Sequence, residues 1–288
     1  MANGQVNAGR YGVFYLDKRI KLSDRGKKMY KQIRYRTGAV IETIKCIPRG
    51  CRKGEARQKQ TKTPEEIQAA NQRQAARKLA RKINANFRPG DWHITLTYRK
   101  EERPSREAAQ KALSKFLAEM RKRYKAAGHE LKYIAVTEYA SKAIHHHIII
   151  NHINTGTWTT TDAVRRIWKG KGNPKFVSLY DNGEYQTLAD YLIKETEKTF
   201  RDPKSPVRQR YSCSRNLVNP KPEIKMKKAR TWKQNPRPLP GYYLAKESLY
   251  NGIDKFGYKY QRYLMVKLNT GPEDWTSGTW PPDKERKP

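Results

Sequence analysis

Cysteine, acid and long apolar runs are all scarce in this 288-residue chain. Three cysteines do not make a disulfide framework. Cys46 and Cys51 are close in sequence, but a tetrahedral zinc site would need, besides the distant Cys213, a fourth ligand from elsewhere. No run approaches the roughly 20 apolar residues that span a bilayer, so no membrane partner is expected. The opening residues, MANGQVNAGRYG, lack the apolar core of a secretory signal, and a cytoplasmic, reducing setting is the expectation. There is no G-x-x-x-x-G-K-[ST], hence no sign of an ATP-driven motor, and no internal repeat. Acid is the most telling shortage: 27 Asp and Glu face 62 Lys and Arg, a net charge of +35. A surface so charged repels itself unless a polyanion neutralises it, which makes nucleic acid the leading partner.

Aromatic residues are plentiful, with 18 Tyr and 6 Trp. A disordered basic tail is poor in such residues, so a folded domain is expected. Residues 1–62 are strongly basic and read as an N-terminal arm or accessory hairpin, with β-like stretches at 11–16 and 39–47. Residues 63–200 read as the main domain, 201–268 as a basic, aromatic C-terminal extension, and 269–288 as a tail. In the extension, Tyr242, Tyr243, Tyr250 and Tyr258 interleave with Lys246, Lys255 and Lys259. That pattern fits either a small packed appendage or a surface for stacking bases and holding phosphates.

Within the main domain, Thr63-Pro64-Glu65-Glu66 is a capping box with proline at the first helical position. Ile67, Ala75, Leu79 and Ile83 continue at helical spacing to a turn at 86–90. Trp92, Ile94, Leu96 and Tyr98 then alternate with His93, Thr95 and Thr97, the period-2 signature of a strand. A second helix over 105–127 carries the stripe Ala109, Leu113, Phe116, Leu117, Met120 and Tyr124. Strands at 131–138 and 144–151, a short helix at 162–168, a strand at 175–180 and a helix at 185–199 follow. This order predicts an α+β domain whose antiparallel sheet has helices on one face, with basic extensions at both ends.

The run His145-His146-His147-Ile148-Ile149-Ile150 lies on a strand, where alternate side chains share a face. His145 and His147 therefore point one way, and His146, Ile148 and Ile150 the other. If the preceding strand pairs with this one as a hairpin, Glu138 lies opposite His145 and joins the two histidines. A one-residue slip would move it to the other face. Two imidazoles and a carboxylate suit Mg²⁺, Mn²⁺ or Zn²⁺. Cupins and non-haem iron oxygenases use the same ligand types, but with the carboxylate between or after the histidines, and a charge of +35 would be odd around a small-molecule site. In a nucleic-acid-binding protein such a metal would act on a phosphodiester. Tyr191, with Lys194 one turn on and Lys198 a further turn on, offers a nucleophile beside cations.

The set Ile94-Thr95-Leu96-Thr97-Tyr98, Glu138, His145-His146-His147 and Tyr191-Leu192-Ile193-Lys194 resembles the HUH endonucleases, which include rolling-circle replication initiators and relaxases. Its order and spacing are most similar to replication-associated proteins of bacterial mobile elements that use one catalytic tyrosine. Thr63 to Glu66, 86–91 and Ser214-Arg215-Asn216-Leu217 are similar to the same group. The resemblance implies Glu138, His145 and His147 as ligands of Mg²⁺ or Mn²⁺ and Tyr191 as nucleophile, assisted by Lys194 and Lys198. It implies single-stranded DNA as substrate, in an origin hairpin or a melted duplex, with host helicase and polymerase as partners. Strand contacts are assigned to Thr95, Thr97, Arg99, Lys142 and Arg215. The middle residue of the motif is usually hydrophobic; here it is His146. A transposase or relaxase of the same chemistry, or a basic nucleic-acid-binding module without catalysis, are the competing expectations.

Overall fold

The computed structural model describes residues 29–48, 63–139, 143–180, 182–197, 200, 209–254 and 257–268. Chain order begins with strands β1 (Tyr30–Thr37) and β2 (Val40–Cys46), helix α1 (Pro64–Asn86), β3 (Trp92–Thr97) and α2 (Arg106–Ala126). The central part continues with β4 (Tyr133–Glu138), β5 (His145–Ile150), α3 (Thr160–Trp168), β6 (Lys175–Ser178) and α4 (Gln186–Glu195). Last come β7 (Ser212–Cys213), β8 (Glu223–Lys227), β9 (Tyr242–Ile253) and β10 (Lys259–Lys267). The β-like stretch at 11–16 and the tail 269–288 lie outside the described residues.

Local chemistry starts the helices where the sequence places them. The Thr63 hydroxyl accepts from the Glu66 N–H while the Glu66 carboxylate accepts from the Thr63 N–H, satisfying two donors that an open first turn would leave unpaired. Ser105 caps α2 and Thr159 caps α3 in the same manner.

The strands form two antiparallel five-stranded sheets, so the fold class is the α+β one expected. The first sheet runs β6-β3-β5-β4-β7. Its helices were expected on one face and stand on both. Ile94, Leu96, Ala135, Ile148 and Ile150 pack with Phe116 and Met120 of α2 and Val164 and Trp168 of α3. On the opposite face Ile134, Val136 and Ile149 pack with Leu79 and Ile83 of α1 and Leu188 and Leu192 of α4. This explains the unbroken isoleucine run of β5, since a strand covered on both faces has no solvent side on which to alternate.

The second sheet runs β8-β1-β2-β10-β9. The N-terminal hairpin and the C-terminal extension, which the sequence separates, are therefore one structure, with β2 paired along its length to β1 and β10. The hairpin turns through Gly38, at φ 56, a left-handed conformation that glycine adopts without cost from a β-carbon. The aromatic segment is a packed sheet, yet Tyr243 and Tyr250 remain exposed on its edge strand.

A buried ion cluster joins the sheets. Glu42 of β2 accepts from Arg81 of α1 and from Arg262 of β10. Arg262 also donates to the Gln186 side chain at the start of α4, 3.1 Å away.

Candidate metal centre

The site sits at the end of the first sheet, where β5 leaves the helical cover. The hairpin register is Glu138 opposite His145, with Val136 opposite His147. On the other side of β5, Thr95 lies opposite His147 and Thr97 opposite His145. This register puts Glu138, His145 and His147 on one face, and their ligand atoms lie within 4.8 Å of one another. Among the described residues no other group of three His, Cys, Asp or Glu could hold a metal ion. Cys46 and Cys213 are free and take no part.

The hydrogen bonds around the triad leave nitrogens facing its centre. His145 donates from Nδ1 to the Ala143 carbonyl, 3.0 Å away, so its Nε2 turns to the Glu138 carboxylate at 3.0 Å. With the ring hydrogen used on Ala143, that contact sets lone pair against lone pair unless a proton or cation lies between. His147 approaches the His93 ring nitrogen Nε2 at 3.2 Å and the Thr95 hydroxyl at 3.3 Å, both through Nδ1. Its Nε2 is buried and has no hydrogen-bond partner. A buried unpaired nitrogen is costly, and a cation on that lone pair would remove the cost. Burial, with the neighbouring His93, His145 and His146 adding to it, pushes the His147 pKa down to about 3. Burial likewise takes His93 to about 4. Both rings are thus neutral at pH 7, the state a metal requires.

His146 faces the opposite way. It is 0% exposed and lies in the core with Trp168, its Nε2 2.8 Å from the Tyr98 hydroxyl and its Nδ1 2.8 Å from the Thr137 hydroxyl. Both nitrogens are satisfied, and the unusual middle histidine of the motif is a buried polar core residue.

Tyr191 projects from α4 over the triad. Its ring centroid is 5.4 Å from that of His147, nearly perpendicular at 85°, and 6.4 Å from that of His93. Tyr191 is 42% exposed, while Tyr185, the other tyrosine of this segment, is 0% exposed and bonds the Tyr180 carbonyl. Burial raises the Tyr191 phenol above its usual value, and the Glu195 and Glu138 carboxylates raise it further. The groups acting on the phenol are therefore acids, where the sequence had pointed to cations. Lys194 is exposed one turn beyond it, and Lys198 lies outside the described residues.

The expected strand contacts do not form one cluster. Thr95 supports His147, and Thr97 donates to the Asn173 carbonyl at 2.9 Å. Arg99 is exposed just past β3, whereas Lys142 lies outside the described residues. Arg215 is exposed beyond Ser214, whose N–H bonds Tyr133 at the start of β4, some 17 Å along the strand from Glu138 at ~3.3 Å per residue. His93 is the site residue that the strand pattern had left as a mere spacer. It shares a face with Thr95 by the period of 2, but its nearness to His147 follows only from the β3–β5 register.

Residues 91–200 match the family model of the replication-associated protein ORF2. The matched segment runs from the start of β3 past the end of α4 and contains Glu138, His145, His147, His93 and Tyr191. The replication-associated match covers the first sheet without β7 and leaves out α1 and the whole second sheet. No curated protein and no solved structure matches the chain. No helix among the described residues is long and apolar enough to cross a membrane.

Proposed function

We propose that this protein nicks and rejoins single-stranded DNA as an HUH-type initiator of rolling-circle replication, through a 5′-phosphotyrosine on Tyr191. One juxtaposition carries this reading: a half-exposed tyrosine ring against His147, whose buried Nε2 is unpaired within the Glu138, His145 and His147 triad, all inside a segment similar to replication-associated proteins. A divalent cation, Mg²⁺ or Mn²⁺, held by these three side chains would polarise the scissile phosphodiester and offset the charge developing on it.

The Tyr191 oxygen attacks the phosphorus as the bond to the 3′ oxygen breaks. The phenol proton ends on that oxygen, and the freed 3′-OH primes synthesis. Attack of a 3′-OH on the phosphotyrosine reverses the exchange, so one phosphodiester is traded for another without ATP. The surrounding residues hold this geometry. The Ala143 carbonyl orients His145, and His93 and Thr95 orient His147. Glu195 and Glu138 keep the free phenol protonated until substrate is in place. Lys194 and Lys198 contribute positive charge on the strand side of α4. The substrate is single-stranded DNA in an origin hairpin or melted duplex, and host helicase and polymerase extend the primer.

Incubation with a labelled pool of single-stranded oligonucleotides and Mn²⁺ tests this. A protein band carrying DNA should survive denaturation, vanish with EDTA, and be absent from Tyr191→Phe while that variant still binds Mn²⁺. Mass spectrometry should find the 5′-phosphate on Tyr191. An adduct that persists in Tyr191→Phe overturns the assignment.

A further inference from the structure

The sheet edge beside Glu138 is only partly closed. β7 pairs with β4 at Ile134 and Ala135 alone, so among the described residues no strand flanks β4 from Val136 to Glu138. Two cavities, of about 750 and 740 Å³, lie along this edge and share Arg121 and Tyr133, forming one groove. A single stripe of α2 makes one wall: Gln110, Ser114, Leu117, Arg121 and Lys125, all at helical spacing. The chain from Tyr211 to Asn216 makes the other. At one end the groove takes in Thr137 and Tyr139, which flank Glu138 in the chain, together with Thr196, which caps the helix carrying Tyr191. At the other it reaches Arg215.

The lining chemistry is specific. Arg121, Lys125 and Arg215 are exposed, and among the described residues they have no ion-pair partner. Tyr139, Phe200 and Tyr211 supply rings at the end near the metal ligands. Two of these rings already have guanidinium neighbours: Arg106 lies 5.7 Å from the Tyr139 centroid and Arg210 4.3 Å from that of Phe200. Arg210 is paired with Glu197 and is not a free cation. Unpaired cations along a track with aromatic rings fit alternating phosphates and bases, and only a single strand has its bases free to stack.

We propose that this groove binds the single-stranded DNA flanking the cleaved phosphodiester. Phosphates lie on Arg121, Lys125 and Arg215, and bases lie against Tyr139 and Tyr211. The occupant's identity rests on the nicking function proposed above. Arg215, too far from the metal ligands to touch the reacting phosphate, gains a role as the remote end of the track.

The test measures binding in EDTA, where no strand transfer occurs. The full chain is titrated with fluorescein-labelled oligothymidylate over a range of salt. Arg121→Glu with Lys125→Glu should weaken binding and lower the log–log salt slope by about 1.4, at ~0.7 per phosphate contact on a single strand. Lys111→Glu with Lys115→Glu makes the same charge change on the same helix, at exposed positions outside the groove, and should leave the slope unchanged. An oligonucleotide bearing 5-iododeoxyuridine should photocrosslink to peptides containing Tyr139 or Tyr211. Equal effects of the two charge pairs, or crosslinks confined to other surfaces, overturn the groove. If wild type forms its tyrosyl adduct but the slope ignores Arg121 and Lys125, the groove alone fails. If crosslinks map to the groove but no adduct ever forms with Mn²⁺, the nicking reading fails and the groove stands.

Discussion

His146 and His147 are neighbours on one strand, and a single backbone step gives them opposite tasks. His147 has a buried nitrogen without a partner, while His146 spends both nitrogens on hydroxyls. The two substitutions should therefore separate. His147→Ala should abolish Mn²⁺ binding, read by calorimetry, together with adduct formation, and should leave the fold intact. His146→Leu should keep Mn²⁺ binding but lose about 1–3 kcal/mol of stability in urea, because it strands the buried Tyr98 and Thr137 hydroxyls. Loss of Mn²⁺ binding in a folded His146→Leu, with binding kept in His147→Ala, would reverse the assignment.

β3 is held by more than its strand neighbours. Trp168 at the end of α3 donates its indole N–H to the Thr97 carbonyl at 2.8 Å, and the turn after α3 then passes so close that a β-carbon on Gly172 would lie 2.1 Å from that oxygen. No side chain can give way there, since the obstacle is backbone, so only glycine fits. Thr97 lies opposite His145, and a shift of β3 is passed to a metal ligand. Gly172→Ala should cost about 1–3 kcal/mol through overpacking and should weaken Mn²⁺ binding as well. A urea midpoint equal to wild type would show that the turn can move without disturbing β3.

The two sheets are tied through a charge that water cannot reach. Burial alone would raise the Glu42 carboxyl, but Arg262 and Arg81 outweigh it and hold the group below its ordinary 4.5. Since the folded value is the lower one, this contribution to stability is fully present above about pH 4.5 and is lost as pH falls through the folded value. Glu42→Gln leaves two guanidinium groups without their counter-charge and should cost about 3–5 kcal/mol at pH 7. It should also flatten the loss of stability below pH 4.5, measured by urea unfolding across pH. An acid profile as steep as that of wild type would show that other carboxylates set it. Chelation should behave differently. The sheet cores close without the triad, so EDTA should stop strand transfer and leave the circular dichroism spectrum unchanged.

Local and periodic features were legible in the sequence. The capping box at Thr63, the apolar stripe of α2 and the alternation of β3 each depend on contacts within one element, and so did the parity that separates His146 from His145 and His147. Hairpin counting also placed Glu138 opposite His145, because a short connection leaves few registers. Three things depended on partners distant in the chain. β3 meets β5 across more than 50 residues, which brings His93 and Thr95 to His147 although nothing in the 92–97 pattern names that neighbour. Helices cover both faces of the first sheet, since α1 and α4 find the face opposite α2 and α3 only once the chain has closed. Residues 30–46 and 223–267 are far apart in sequence, each looking like a basic extension, and they become one sheet because strand pairing depends on free backbone edges that no local pattern specifies.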